Sequence, residues 1–83
     1  MHPADLRADP AVIDLIELAG LWLAAGEWVA FRRTLARLEA EIAQRFPTET
    51  DFRDRFRDLR ELSEAEEPDS ESVRKAYRRA TVG

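Results

Sequence analysis

Residues 20–31 of the chain read GLWLAAGEWVAF, with Trp22 and Trp28 on either side of Gly26. Glycine takes the left-handed backbone conformation that ends many helices without the steric penalty of a Cβ. The apolar residues before and after Gly26 follow helical spacing. We therefore predict an antiparallel helical hairpin, with helices over about 10–25 and 27–46 joined at Gly26. The two indoles are expected to meet near its closed end.

The first predicted helix has a clear start signal, Asp9 followed by Pro10. An aspartate side chain caps free backbone amides, and proline fits the first helical position. Apolar residues cover well over half of its helical wheel, and Asp14 and Glu17 share the remainder. This helix therefore needs to be covered on several sides.

The second predicted helix carries a narrow apolar seam, spaced three and four residues apart as in helical bundles. The seam consists of Trp28, Phe31, Leu35, Leu38, Ile42 and Phe46. Together with the first helix it supplies the candidate residues for the hairpin core or, where uncovered, for a partner interface. These candidates are Leu18, Trp22, Trp28, Phe31 and Leu35.

Two further helices are predicted after Pro47, over about 49–65 and 70–81. Thr48 and Asp51 resemble a capping box at the start of the third helix, which carries the apolar stripe Phe52, Phe56, Leu59 and Leu62. The ion pairs expected along it are Asp51 with Arg55, Arg57 with Glu61 and Arg60 with Glu64. The acidic loop SEAEEPDSES, residues 63–72, leads to a short peripheral fourth helix, capped by Asp69 or Ser70.

These segments predict an all-α fold, a three- to four-helix bundle built on the hairpin. We expect a flexible N-terminus over residues 1–9 and a single helical domain over 10–81. A chain of 83 residues hides only about 60% of its unfolded surface on folding. It has no cysteine and one histidine, His2, so disulfides and thiolate metal sites are excluded. Stability must then come from helix packing or from association with another chain.

The composition points to a non-enzymatic protein. Asp14 and Glu17 lie three residues apart, as paired catalytic or metal-binding carboxylates do, but no histidine or cysteine joins them. The three glycines do not form a phosphate-binding loop. We therefore expect no catalytic residues, no cofactor and no metal. No targeting or membrane-spanning segment is visible, which favours the cytoplasm, and the abundance of alanine and arginine suggests a bacterial gene.

Charge is unevenly distributed along the chain. The formal net charge is −4, whereas residues 69–83 carry four bases against two acids. The candidate phosphate contacts are Arg74, Lys75, Arg78 and Arg79. Bases near a helix end are also what the helix dipole favours, and the acidic remainder of the chain repels nucleic acid. Nucleic-acid binding is therefore a minor alternative.

The predicted hairpin resembles a tetratricopeptide repeat. Over residues 12–45, the packing positions of that repeat are matched by Leu15, Leu18, Ala19, Trp22, Gly26, Trp28 and Leu35. The chain departs from the pattern at Phe31 and Leu38, where the repeat prefers alanine, and at Ala43, where it tends to have proline. The resemblance implies a scaffold that binds other proteins and, since one repeat cannot bury its own core, added helices or a second chain.

The leading functional hypothesis is a small protein-interaction module: an adaptor, an assembly factor or a regulatory subunit. Its partner would be another protein or a second copy of the chain, the latter through the seam of the first two helices. The alternative is a non-catalytic accessory subunit of a multi-subunit enzyme. Nucleic-acid contact through the basic fourth helix is the third possibility, and no membrane contact is expected.

Overall fold

The computed structural model describes residues 6–65 and 67–82 of the chain. Within them lie four helices, α1 Pro10–Ala25, α2 Trp28–Arg45, α3 Thr50–Ser63 and α4 Ser70–Val82, preceded by a 3-10 turn at Leu6–Ala8. No strand occurs in these residues. The all-α class is confirmed, and every helix begins and ends within two residues of its predicted limits.

Both ends of α1 form as local sequence predicts. The side chain of Asp9 accepts a hydrogen bond from the Val12 amide at 3.1 Å, and Pro10 occupies the first helical position. Gly26 has a φ of 71°, and the amide of Glu27 donates to the Trp22 carbonyl at 2.9 Å. A residue with a Cβ is strained at this φ. Gly26 therefore ends α1 and lets the chain reverse into α2.

The start of α3 differs from the prediction, whereas the start of α4 matches it. The capping box of Thr48 and Asp51 is wrong: Glu49 is the cap, and its side chain makes no capping hydrogen bond. A turn closed by the Glu49 amide on the Phe46 carbonyl moves the helix start past Thr48. At α4, Asp69 caps by accepting from the Glu71 amide at 3.2 Å and from the Ser72 hydroxyl at 2.7 Å.

The four helices close into a ring of neighbours. Helix α1 packs on α2, α2 on α3, α3 on α4, and α4 returns to α1. Every helix contributes at least one fully buried apolar side chain to the core between them: Val12, Phe31, Leu35, Leu38, Ile42, Phe56, Leu59 and Val73. Helix α4, predicted to be short and peripheral, has 13 residues and contributes Val73 and Ala80 to the core.

The folded part of the chain begins before the predicted boundary at residue 10. Residues 1–5 of the expected flexible terminus lie outside the described residues, but Leu6 is buried in the core. Asp9 joins α1 to the end of α2 through two hydrogen bonds from Arg45, at 2.6 and 2.9 Å. The Arg45 guanidinium lowers the pKa of Asp9, and the Val12 amide adds to this effect while burial opposes it.

Charged side chains also join α2 to α3. Arg60 pairs with Glu39 at 2.6 and 3.2 Å, and Arg32 donates to the carbonyl of Ser63 at 2.8 Å. These contacts fix the relative position of the two helices.

The ion pairs predicted along α3 form only in part. Arg60 does pair with Glu64, at 3.1 Å. The other two predicted pairs do not form within residues 6–65 and 67–82: Asp51 does not pair with Arg55, and Arg57 does not pair with Glu61. Arg57 instead binds Asp54 and Asp58. Arg55 is therefore left without the partner that the sequence predicts.

Candidate functional site: a basic groove between α3 and α4

The five candidate residues of the hairpin divide between the core and the surface. Phe31 and Leu35 are fully buried. Trp22 and Trp28 are partly buried and pack against the core, and Leu18 is 39% exposed. Leu18 therefore belongs to the surface of the protein.

The two indoles do not form the expected pair. Trp28 packs edge to face on Phe31, with ring centroids 6.0 Å apart, because it stands one turn before Phe31 on the same helix. In the part of the chain that the structure describes, no ring contact joins the two tryptophans and neither indole nitrogen donates a hydrogen bond to the protein. The closed end of the hairpin is thus held by packing of each ring onto the core.

The apolar seam of α2 is covered within one chain. Phe31, Leu35, Leu38 and Ile42 are all 0% exposed. Phe46 at the end of the seam is also buried, whereas Trp28 at its start is only partly buried. Among the described residues, the most exposed large apolar side chains are Leu18, Leu21, Val29 and Leu62.

A groove of about 790 Å³ runs between α3 and α4. Its floor is apolar, since Leu59 and Ala80 are buried and Leu62 is 43% exposed. Cationic side chains from both helices stand around this floor. The residues that line the groove are Arg55, Asp58, Leu59, Leu62, Ser72, Lys75, Ala76, Arg79 and Ala80.

The cations of the α3–α4 groove are unpaired. Within the described ranges, Arg55, Lys75 and Arg79 form no ion pair, in contrast to Arg45 and Arg60. Asp58 is the sole carboxylate among the described residues that line the groove, and it is an exposed partner of Arg57 at 3.3 Å. The α3–α4 groove therefore combines an apolar floor with an excess of positive charge.

A second, smaller groove of about 400 Å³ separates α1 from α4. Tyr77 crosses its base and donates a hydrogen bond to the Ile16 carbonyl at 2.7 Å. Burial raises the pKa of Tyr77, and the negative charge of Glu17 adds to the effect. A Cβ at Gly20 would lie 2.7 Å from the Tyr77 hydroxyl, so glycine is what allows this close approach.

The four candidate phosphate contacts divide between the two grooves. Lys75 and Arg79 line the α3–α4 groove, and Arg74 and Arg78 line the α1–α4 groove. All four are exposed and, within residues 6–65 and 67–82, none is in an ion pair. Their positive charge therefore surrounds the outer side of α4.

The two carboxylates considered for catalysis or metal binding are on α1. Asp14 and Glu17 are both exposed, and their side chains form no hydrogen bond with another described residue. Among the described residues, no group of three or more histidine, cysteine, aspartate or glutamate side chains is placed to hold a metal ion.

A helix that crosses a membrane must be long and apolar. No helix in the described ranges combines the length and the apolar character needed to cross a bilayer.

Comparison of the chain with models of known protein families, with curated proteins and with solved structures found no match.

Sequence reasoning identified the cations of α4 but missed Arg55 and the apolar floor of the α3–α4 groove. The stripe residue Leu62 and the basic residues of α4 were each visible as local patterns. The sequence does not show which side of α3 faces which side of α4, because that depends on packing across the acidic loop. The groove follows from this packing.

Proposed function

We propose that the protein is an interaction module that receives an acidic amphipathic helix of a partner protein in the α3–α4 groove. The observation that carries the proposal is the joint placement of Leu59 and Leu62 in the floor with the unpaired cations Arg55, Lys75 and Arg79 around it. Amphipathic helices bind such grooves with their apolar side, at anchors spaced three and four residues apart. Opposite charges at the edge speed association and fix the register of the partner.

A protein partner suits this groove better than nucleic acid. Among the described residues that line it, none is aromatic, so no ring is offered for base stacking. An apolar floor contributes nothing to phosphate binding, and the chain has a net charge of −4. Nucleic-acid contact by the outer side of α4 is the second candidate, favoured by the unpaired charges of Arg74 and Arg78.

The proposed role covers an adaptor, an assembly factor or a regulatory subunit, and we propose the cytoplasm as its location. The tetratricopeptide-like pattern over residues 12–45 supports a scaffolding role by analogy. An accessory subunit of a multi-subunit enzyme would use the same binding activity, and its partner would be the catalytic chain.

Binding of a designed peptide tests the proposal. The probe is a fluorescently labelled helical peptide with leucines on one side and glutamates beside them, and its anisotropy is followed as protein is added. We expect saturable binding that weakens about tenfold or more in the variant Arg55→Glu/Arg79→Glu. The matched control is Arg33→Glu/Arg37→Glu, which makes the same charge change at exposed residues on the outer side of α2. This control should bind the peptide within about twofold of the wild-type protein.

Two comparison ligands decide between the candidate functions. A peptide of the same charge with serine in place of leucine should bind much more weakly, because it cannot use the apolar floor. A single-stranded oligonucleotide should also bind weakly. Equal binding of the serine peptide, tighter binding of the oligonucleotide, or no binding of the leucine peptide would contradict the proposed function.

A further inference from the structure

We propose that the acidic helix that fills the α3–α4 groove is α1 of a second copy of this chain. The contacting residues are Asp14, Glu17, Leu18 and Leu21, which we name the α1 outer face. This inference rests on the proposed function of the groove and adds the identity of the partner.

The α1 outer face has the pattern of a helix that binds in a groove. Its residues are spaced i, i+3, i+4 and i+7, so they share one side of α1. Leu18 is 39% exposed and Leu21 is 66% exposed, although both are large apolar side chains. In the described part of the chain, the carboxylates of Asp14 and Glu17 have no ion-pair partner. The face therefore presents unused apolar surface and unused negative charge together.

The α1 outer face and the α3–α4 groove are complementary in both apolar surface and charge. Two leucines of the α1 outer face match an apolar floor in which Leu62 is 43% exposed. Two unpaired carboxylates match the three unpaired cations Arg55, Lys75 and Arg79. Docking would cover the most exposed leucine of α1 and would pair charges that form no ion pair with the described residues of their own chain.

The geometry requires the two surfaces to come from different copies. Neither Leu18 nor Leu21 lines either groove, and α4 packs against α1 on the one side and α3 on the other. Contact between two different surfaces is head to tail, so copies add in a row or close into a ring. One helix face in one groove is a small interface, and such contacts are weak. Assembly should therefore appear only at high protein concentration.

A mixing experiment separates the two surfaces. One variant, Leu18→Asn/Leu21→Asn, has a defective α1 outer face and an intact groove. The other, Arg55→Glu/Arg79→Glu, has a defective groove and an intact face. The defective face is still acidic and the defective groove has become acidic, so these two do not bind each other. Mass is measured by light scattering at concentrations up to about millimolar. Helix content by circular dichroism verifies that each variant folds.

We expect the wild-type mass to rise with concentration above the 9.5 kDa of one chain, and each variant alone to remain at 9.5 kDa. Mixing the variants should give a one-to-one complex of twice that mass, because the mixture contains one intact face and one intact groove. The controls Val29→Asn and Arg33→Glu/Arg37→Glu should assemble like the wild type. Should Leu18→Asn/Leu21→Asn fail to fold, Asp14→Asn/Glu17→Gln replaces it and should also lower the assembled mass.

A monomeric wild type at millimolar concentration, or a mixture that remains at 9.5 kDa, would overturn the inference. Assembly that Arg55→Glu/Arg79→Glu leaves unchanged would overturn it as well, since the contact would then lie elsewhere. If the leucine peptide binds the groove while the wild type stays monomeric, the inference fails and the proposed function stands. If the peptide does not bind, the proposed function fails, and the inference that rests on it fails as well.

Discussion

Helices α2 and α4 use their side chains in opposite ways. Helix α2 buries four large apolar residues completely, and Arg32, Glu39 and Arg45 all bond to neighbouring elements. Helix α4 buries only Val73 and Ala80 among its described residues, while its four cations make no ion pair in the described ranges. The contrast indicates that α2 holds the fold together, whereas the charges of α4 stay available for the partner that we propose.

The largest expected effect on stability is at Phe31. This residue is 0% exposed, so Phe31→Ala should lower the free energy of unfolding by about 3–5 kcal/mol. Trp28→Ala should lower the free energy of unfolding by less. Trp28 packs on the Phe31 ring but is only partly buried. Urea unfolding followed by circular dichroism measures both. An equal or larger loss for Trp28→Ala would show that the closed end of the hairpin, and not the middle of α2, dominates stability.

Because of the contact between Asp9 and Arg45, the stability of the protein should decrease at acidic pH. Arg45 lowers the pKa of Asp9, so folding favours the ionised carboxylate. That contribution is complete above the unfolded aspartate pKa of about 3.9 and is lost as pH falls through the lower folded pKa. Asp9→Asn keeps a capping side chain but removes the charge, and should lower the thermal midpoint near pH 7.

The same comparison at low pH provides the control for Asp9. The difference in midpoint between wild type and Asp9→Asn should shrink as pH falls below about 3.9, and should be smallest once Asp9 is also protonated in the folded protein, below its lowered pKa. Asp58→Asn, which removes an exposed ion pair with Arg57, should change the midpoint little at either pH. A difference for Asp9→Asn that persists unchanged in acid would contradict the electrostatic account.

The packing of α4 against α1 should depend on the close approach of Gly20 and Tyr77. Alanine is a better helix former than glycine by about 1 kcal/mol, but a Cβ at residue 20 would lie 2.7 Å from the Tyr77 hydroxyl. Gly20→Ala should therefore be more favourable by about 1 kcal/mol in a Tyr77→Phe background than in the wild type. A double-mutant cycle of unfolding free energies measures this coupling. Additive effects would mean that α4 does not depend on this close approach.

The smallest expected effect is at the surface of α1. Leu21→Asn should change the free energy of unfolding by less than about 0.5 kcal/mol, because Leu21 is 66% exposed. Chemical denaturation at low protein concentration provides the measurement. A large loss would show that Leu21 supports the fold of the single chain, and would remove it from the proposed interface.

Local features of the sequence predicted the helices well, because caps and apolar spacing act within one or two turns. Asp9, Pro10 and Gly26 fixed the ends of α1 in this way. Contacts between residues far apart in the chain were not predictable: Arg45 with Asp9 spans 36 residues, and Tyr77 with Ile16 spans 61. The cations of the candidate site were visible on α4, but their groove and Arg55 depend on how α3 and α4 face each other. No local pattern encodes that orientation.

Amide chemical shifts recorded during titration with the acidic leucine peptide test the central claim most directly. The account predicts that the largest shift changes occur at residues lining the α3–α4 groove, among them Leu62, Lys75 and Arg79. Residues Arg33 and Arg37, on the outer side of α2, should stay unchanged. Shift changes spread evenly over all exposed basic residues, or centred on the α1–α4 groove, would contradict it.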